Sequence, residues 1–212
     1  MRLLGKLESY GVKEKLFHWI KHFLVGRQQR VVLNGCKSEW SEVDSGIPQG
    51  SVLGPILFVL YINDLPSVIH SIVKIFADDT KIYSTMYGMH DCQLLQEDLN
   101  KLSAWSKTWL LEFNATKCVV LKIRAALNFV YTLDGLNLKA VSEEKDLEVI
   151  VSEDSQPRNH MMDIVRRANQ KIGLIKRCFS DLTAKKIKVS YTSIVRPLLE
   201  YANVTWNPWK RK

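Results

Sequence analysis

Ile72-Val73-Lys74-Ile75-Phe76-Ala77-Asp78-Asp79-Thr80-Lys81-Ile82-Tyr83 is the stretch on which the fold turns. β-Branched and aromatic residues fill 72–77 and 80–83, so each half reads as a strand, and only Asp78 and Asp79 separate them. A tight hairpin with two carboxylates at its tip is the natural reading. Adjacent carboxylates on an apolar hairpin repel each other unless something positive neutralises them, and a divalent cation does that. Two-metal phosphoryl transfer uses this arrangement, with ions about 3.5–4 Å apart that activate a hydroxyl and stabilise the leaving oxygen. An oxygen-rich site with few protein ligands suits Mg²⁺. Asp is also common in turns, so the pair by itself fits a plain surface turn as well.

Upstream lies the glycine and proline cluster Ser45-Gly46-Ile47-Pro48-Gln49-Gly50-Ser51, then an apolar run from Val52 to Ile62. Pro55 fits the first turn of a helix, and Asn63-Asp64-Leu65-Pro66 ends it. The run falls short of the ~18 residues of a membrane span. Further upstream Leu16, Phe17, Ile20, Phe23 and Leu24 form one helical face that Gly26 stops. His18 and His22 share a face at i, i+4, a spacing that seats metals but equally belongs to an ordinary amphipathic helix. Gln29–Leu33 and Ser38–Val43 read as strands joined across Asn34-Gly35, a hairpin signal with two extra residues in the loop.

Downstream, Leu95, Leu99, Leu102, Trp105 and Trp109 mark an amphipathic helix over 92–110, expected to pack on the sheet. Lys117–Ile123, Val130–Leu133 and Leu147–Val151 read as strands, with Asp134-Gly135 turning the chain. Beyond Pro157 the period becomes helical over Met161–Cys178 and Ala184–Ile194, and Pro197 is expected to break the second helix. Pro157 is therefore the expected boundary between a mixed α and β body, 1–156, and a basic helical region, 157–212.

Charge divides at the same place. Of 30 Lys plus Arg and 22 Asp plus Glu, residues 160–212 hold 12 basic and 3 acidic side chains, while the rest of the chain is nearly neutral. Arg166, Arg167, Lys171, Lys176, Arg177, Lys185, Lys186 and Lys188 stand near Phe179, Tyr191, Trp206 and Trp209. That mixture suits phosphate contact with aromatic stacking, although two solvated helix faces have the same composition. At 46% hydrophobic and 25% charged, the 212-residue chain is not wholly disordered or collagen-like. Met1–Tyr10 lacks a signal-peptide core. Cys36, Cys92, Cys118 and Cys178 match neither a zinc spacing nor a dense disulfide framework, so they read as reduced thiols of an intracellular protein.

Ser45 to Pro55, Tyr61-Ile62-Asn63-Asp64-Leu65-Pro66 and Phe76-Ala77-Asp78-Asp79-Thr80 closely resemble, in order and spacing, the middle of a reverse transcriptase of the non-LTR (LINE-like, jockey-like) retrotransposon type. The resemblance continues through Trp109–Cys118, Glu144–Ile150 and Val195-Arg196-Pro197-Leu198-Leu199-Glu200-Tyr201-Ala202. It implies an α+β fold, part of a polymerase right hand: a palm with an antiparallel sheet and packed helices, followed by a small helical thumb. It further implies Asp78 and Asp79 as metal ligands for Mg²⁺. Pro48, Gln49, Gly50, Phe76 and Ala77 would line the nucleotide and template pocket, and Lys117 would assist pyrophosphate departure unless it is simply an exposed strand-edge lysine. The primer grip would fall at Leu147 and Glu148, where the family usually has glycine after leucine. RNA template, DNA primer and deoxynucleotides are the implied partners.

In the family a third Asp, on the strand before the first helix, completes the metal site, and Arg2-Leu3-Leu4 resembles the text just after it. The expectation is therefore a chain that begins past that Asp and past the fingers, inactive in polymerisation by itself. A nucleic-acid-binding remnant without catalysis, or a translated relic of a decayed element, is the alternative. A sheet whose central strand is missing should show a gap or an exposed apolar edge.

Overall fold

The computed structural model describes residues 2–124, 127–179, 181 and 183–206. The chain forms two compact units, residues 1–114 with 132–135 and residues 115–131 with 136–212. Every β-ladder among the described residues is two-stranded. Helices and short, mostly antiparallel ladders together make an α+β fold.

In the first unit Arg2–Ser9 (α1) is a helix that the sequence pattern did not announce. Leu4 and Leu7, three apart and so on one face, carry it into an apolar core with Ile20, Leu24 and Leu57. Those residues come from Glu14–Leu24 (α2) and Leu53–Ile62 (α3), and Phe17, Phe23, Ile47 and Leu60 pack around them. Between α2 and α3 runs one long exposed hairpin, Gln28–Gln29 (β1) against Ser41–Glu42 (β4) and Val32–Leu33 (β2) against Cys36–Lys37 (β3). Leu33 faces Cys36 directly, so Asn34-Gly35 is a two-residue turn without the two extra loop residues expected. Asn34 and Gly35 both have positive φ, 49° and 83°, which is the conformation a two-residue hairpin turn asks of this pair.

A 3₁₀ turn, Leu65–Val68, follows α3 and buries Leu65. Then Ile72–Phe76 (β5) pairs with Asp79–Tyr83 (β6). Met89–Trp109 (α4) buries Cys92, Leu99, Leu102 and Trp105 and packs on the 3₁₀ turn and on Thr132–Leu133 (β8). Gln96 fastens that last contact by both ends of its amide, donating to Thr132 O at 2.9 Å and accepting from Thr132 N at 2.8 Å. The helix packs there rather than chiefly across the β5–β6 hairpin, whose Ile72 and Phe76 are more than half exposed. An apolar edge on this ladder is what the sequence led one to expect.

In the second unit Val119–Leu121 (β7) runs parallel to Lys139–Val141 (β10), after the short Leu136–Asn137 (β9). Glu143–Asp146 (β11) pairs antiparallel with Val149–Ser152 (β12). Leu147 thus belongs to the turn and not to the strand. Arg158–Cys178 (α5) lies against β12 and buries His160, Ile164 and Ala168. Ala184–Ser190 (α6), a π-helical turn Tyr191–Val195 and Arg196–Glu200 (α7) run on without a break, followed by Asn203–Trp206 (α8). Pro197 therefore does not end the helix. The π turn just before it resets the hydrogen-bond register, and Pro197 sits at the start of α7, where a backbone N–H is dispensable. The change of composition at Pro157 falls within this unit.

Candidate active site

The hairpin β5–β6 closes on the pair Phe76↔Asp79, so its turn is Ala77-Asp78 and Asp79 is the first residue of β6. Ala77 takes the left-handed conformation, φ 51°, which lets two residues reverse the chain. Asp78 and Asp79 are both exposed. Among the described residues no cluster of three His, Cys, Asp or Glu side chains forms that could hold a metal by itself. The tip offers two oxygen ligands open to water.

The base of this hairpin is anchored by a residue that the sequence reading passed over. Asp98, on the buried face of α4, accepts from Ser71 N at 2.8 Å, Ser71 Oγ at 2.7 Å, His70 N at 3.2 Å and Lys101 Nζ at 3.0 Å. Burial alone would push its carboxyl up, but the Ser71 hydroxyl and amide, Lys101 and the His70 amide outweigh it and hold the pKa at about 2. The signal was present: Asp98 interrupts the stripe Leu95, Leu99, Leu102, and a charge on a helix's apolar side asks for partners.

The Pro48-Gln49-Gly50 turn is set by α3. Ser51 Oγ donates to Pro48 O at 2.8 Å and accepts from Gly54 N at 3.0 Å. A Cβ on Gly54 would stand 3.1 Å from Ser51 Oγ and 3.3 Å from Pro48 O, so glycine is what lets turn and helix meet this closely. Gln49 and Gly50 are exposed, and Gly50 has φ 78°. Arg27 ties the segment to α2, bonding Leu24 O at 2.9 Å and Gly46 O at 2.7 Å.

Lys117 lies in the second unit, exposed, in a turn ahead of β7 rather than on a strand edge. Leu147 and Glu148 form the two-residue turn of β11–β12, both left-handed, φ 45° and 66°. Glu148 sits at a position where glycine would be unstrained. Its carboxylate receives Lys145 at 2.9 Å and Arg167 at 3.1 Å, and these partners, Lys145 first, lower its pKa.

The basic residues divide into two sets. Arg166 pairs with Asp163 at 2.5 Å, Arg167 with Glu148 and Asp163, and Lys186 with Asp181 at 3.2 Å. Lys171, Lys176, Arg177, Lys185 and Lys188 are exposed and form no ion pair among the described residues. Phe179 and Tyr191 are exposed as well, and Trp206 is half-buried. Trp209 lies outside the described residues.

A family model described as reverse transcriptase (RNA-dependent DNA polymerase) matches residues 2–188. The chain belongs to the reverse transcriptase family. Its relatives place it in the non-LTR retrotransposon type. It is 29% identical over 94% of its length to the RNA-directed DNA polymerase from mobile element jockey of Drosophila funebris. It is 28% identical over 88% of its length to the probable RNA-directed DNA polymerase from transposon BS, and 28% over 90% to that from transposon X-element, both of Drosophila melanogaster. This reverse transcriptase chain covers 22–23% of the length of those relatives. Its match spans the carboxylate hairpin, the Pro48-Gln49-Gly50 turn and the Leu147-Glu148 turn together. No helix among its described residues is long and apolar enough to cross a membrane.

Proposed function

We propose that this chain carries palm and thumb elements of a non-LTR reverse transcriptase, with Asp78 and Asp79 as its contribution to a Mg²⁺ site for nucleotidyl transfer. The observation that carries the reading is the exposed carboxylate pair at the β5–β6 turn. Its donor set fits the ion: Mg²⁺ takes one or two carboxylates and fills the rest of its octahedron with water and substrate phosphates. When bound, the metal supplies activation of the primer hydroxyl and charge neutralisation at the leaving pyrophosphate. The chain's own part is positional. Asp98 holds the hairpin base, the Pro48-Gln49-Gly50 turn offers a bare backbone to nucleotide and template, Lys117 provides a cation for pyrophosphate, and the Leu147-Glu148 turn bears on the primer.

Two carboxylates without a third ligand gathered beside them fall short of the two-metal arrangement, so the chain alone does not polymerise. The test is extension of a DNA primer on an RNA template with Mg²⁺ or Mn²⁺. No extension is expected. Extension abolished by Asp78→Ala with Asp79→Ala would overturn inactivity while upholding the ligand assignment.

A second reading, a nucleic-acid-binding module without catalysis, is favoured by the unpaired Lys171, Lys176 and Arg177 on α5. Duplex affinity should then fall with salt at a slope of about −0.9 per phosphate neutralised. A salt-independent affinity would sink it.

A further inference from the structure

The turn and strands of β11–β12, the start of α5 and the α7–α8 connection enclose a cleft of about 350 Å³ in the second unit. Its walls are largely apolar and aromatic, with Val149, Val151, Pro157, Tyr201, Ala202 and Trp206 among them. Two deeply buried polar side chains also line it, His160 at 2% exposure and Ser152 at 6%.

His160 Nδ1 accepts the amide hydrogen of Ile150 at 3.2 Å. That bond fixes the tautomer, because a nitrogen that accepts carries no hydrogen, so the ring hydrogen is on Nε2. Burial lowers the imidazole pKa and keeps the ring neutral. Nε2 is buried and meets no partner, and the same holds for Ser152 Oγ. Buried donors are ordinarily satisfied, so two orphans on one cleft point to something that completes them. Water is a poor candidate for the whole space, since an ordered water needs two to four polar partners and the rest of the wall offers few. An anion is disfavoured too: no Lys or Arg lines the cleft, and Asp146 does.

We propose that this cleft binds a neutral, planar heteroaromatic ring carrying a carbonyl acceptor, whose oxygen takes the Nε2 hydrogen of His160 while Ser152 bonds a second polar atom. Tyr201 and Trp206 supply the aromatic wall such a ring stacks on. The volume lies within the range of small-molecule sites. Such a ring comes either as a free small molecule or as a base presented by a nucleic-acid strand. The inference stands apart from the metal site, which belongs to the other unit.

The test uses the full chain labelled with ¹⁵N-histidine, following the His160 Nε2 resonance while thymine is added. Toluene, a ring without an acceptor, and benzoate, an anionic one, are the comparison probes. A saturable shift with thymine is expected, with toluene and benzoate at least tenfold weaker. Ser152→Ala should weaken thymine at least fivefold, and His160→Phe should abolish its binding. Thymidine and an oligothymidylate then separate the sources: tighter binding of the oligomer assigns the ring to a strand, equal binding to a free molecule. No saturable shift with thymine, toluene binding as tightly as thymine, or thymine affinity unchanged in Ser152→Ala would each overturn the proposal. Should His160→Phe fail to fold, the ligand series and Ser152→Ala still decide it.

Discussion

Lys6 and Asp64 meet at 2.5 Å, with the Lys6 ammonium buried and 3.7 Å from the centroid of the Trp109 ring. The same ammonium lies 4.8 Å from the Tyr61 ring centroid and 5.0 Å from that of Trp105, and it donates to Tyr61 O. One lysine thus joins α1 to the end of α3 and the last turns of α4. A charge this deep is tolerated because a carboxylate, a carbonyl and aromatic faces surround it.

Lys6→Met should destabilise the chain by about 1–3 kcal/mol, below the full penalty for breaking a buried pair because Asp64 stays a third exposed and rehydrates. The unfolding midpoint in urea measures it, and tryptophan emission should shift as Trp105 and Trp109 lose their cation. An unchanged midpoint would show the cage to be energetically idle.

Asp98→Ala should cost about 2–3 kcal/mol, since it strands the amides of His70 and Ser71 beneath α4. The pH dependence has a definite sign. The folded pKa, about 2, lies below the ordinary 3.8 of the carboxyl, so this stabilisation is complete above about pH 4 and disappears as pH falls through 2. Acid unfolding curves of the wild type and Asp98→Asn should therefore converge towards pH 2 and diverge above pH 4. Parallel curves across that window would contradict it.

Asp78→Asn together with Asp79→Asn should leave stability in metal-free buffer within about 0.5 kcal/mol, as for exposed residues with no partners. The pair should remove whatever thermal shift Mn²⁺ produces in the wild type. Calorimetric titration with Mn²⁺ gives the same answer directly, and an unaltered metal response would place the ligands elsewhere.

Glu148→Gly should raise the thermal midpoint by a few degrees. The side chain is forced to φ 66°, and its ion pairs with Lys145 and Arg167 lie at the exposed tip of a turn. A lowered midpoint would show that Arg167 depends on Glu148 more than the backbone depends on relief.

Local chemistry made part of this legible in advance. Alternation of β-branched residues on either side of Asp78 and Asp79 announced the hairpin, and the apolar period announced α2, α4 and α5, because strand and helix periods survive in sequence. Placement of the turn by one residue, at Ala77-Asp78, depended on the Phe76↔Asp79 register, which side-chain propensity does not specify. Pro197 illustrates the same limit: its cost in a helix is a local property, and the π turn that removes the cost is not.

The order of Ser45 to Pro55, Asn63 to Pro66 and Phe76 to Thr80 was enough by itself to fix the family, since such motifs are read residue by residue. Tertiary structure alone decided the fates of Lys6, Asp98 and His160. Each is a polar residue on an apolar helical face, and its partners lie at Asp64, Ser71 and Ile150. Only Ile150, ten residues before His160, is near its partner in sequence, while Asp64 and Ser71 stand 58 and 27 residues away. A buried polar group takes its meaning from what closes around it, and that enclosure exists only once the chain has folded.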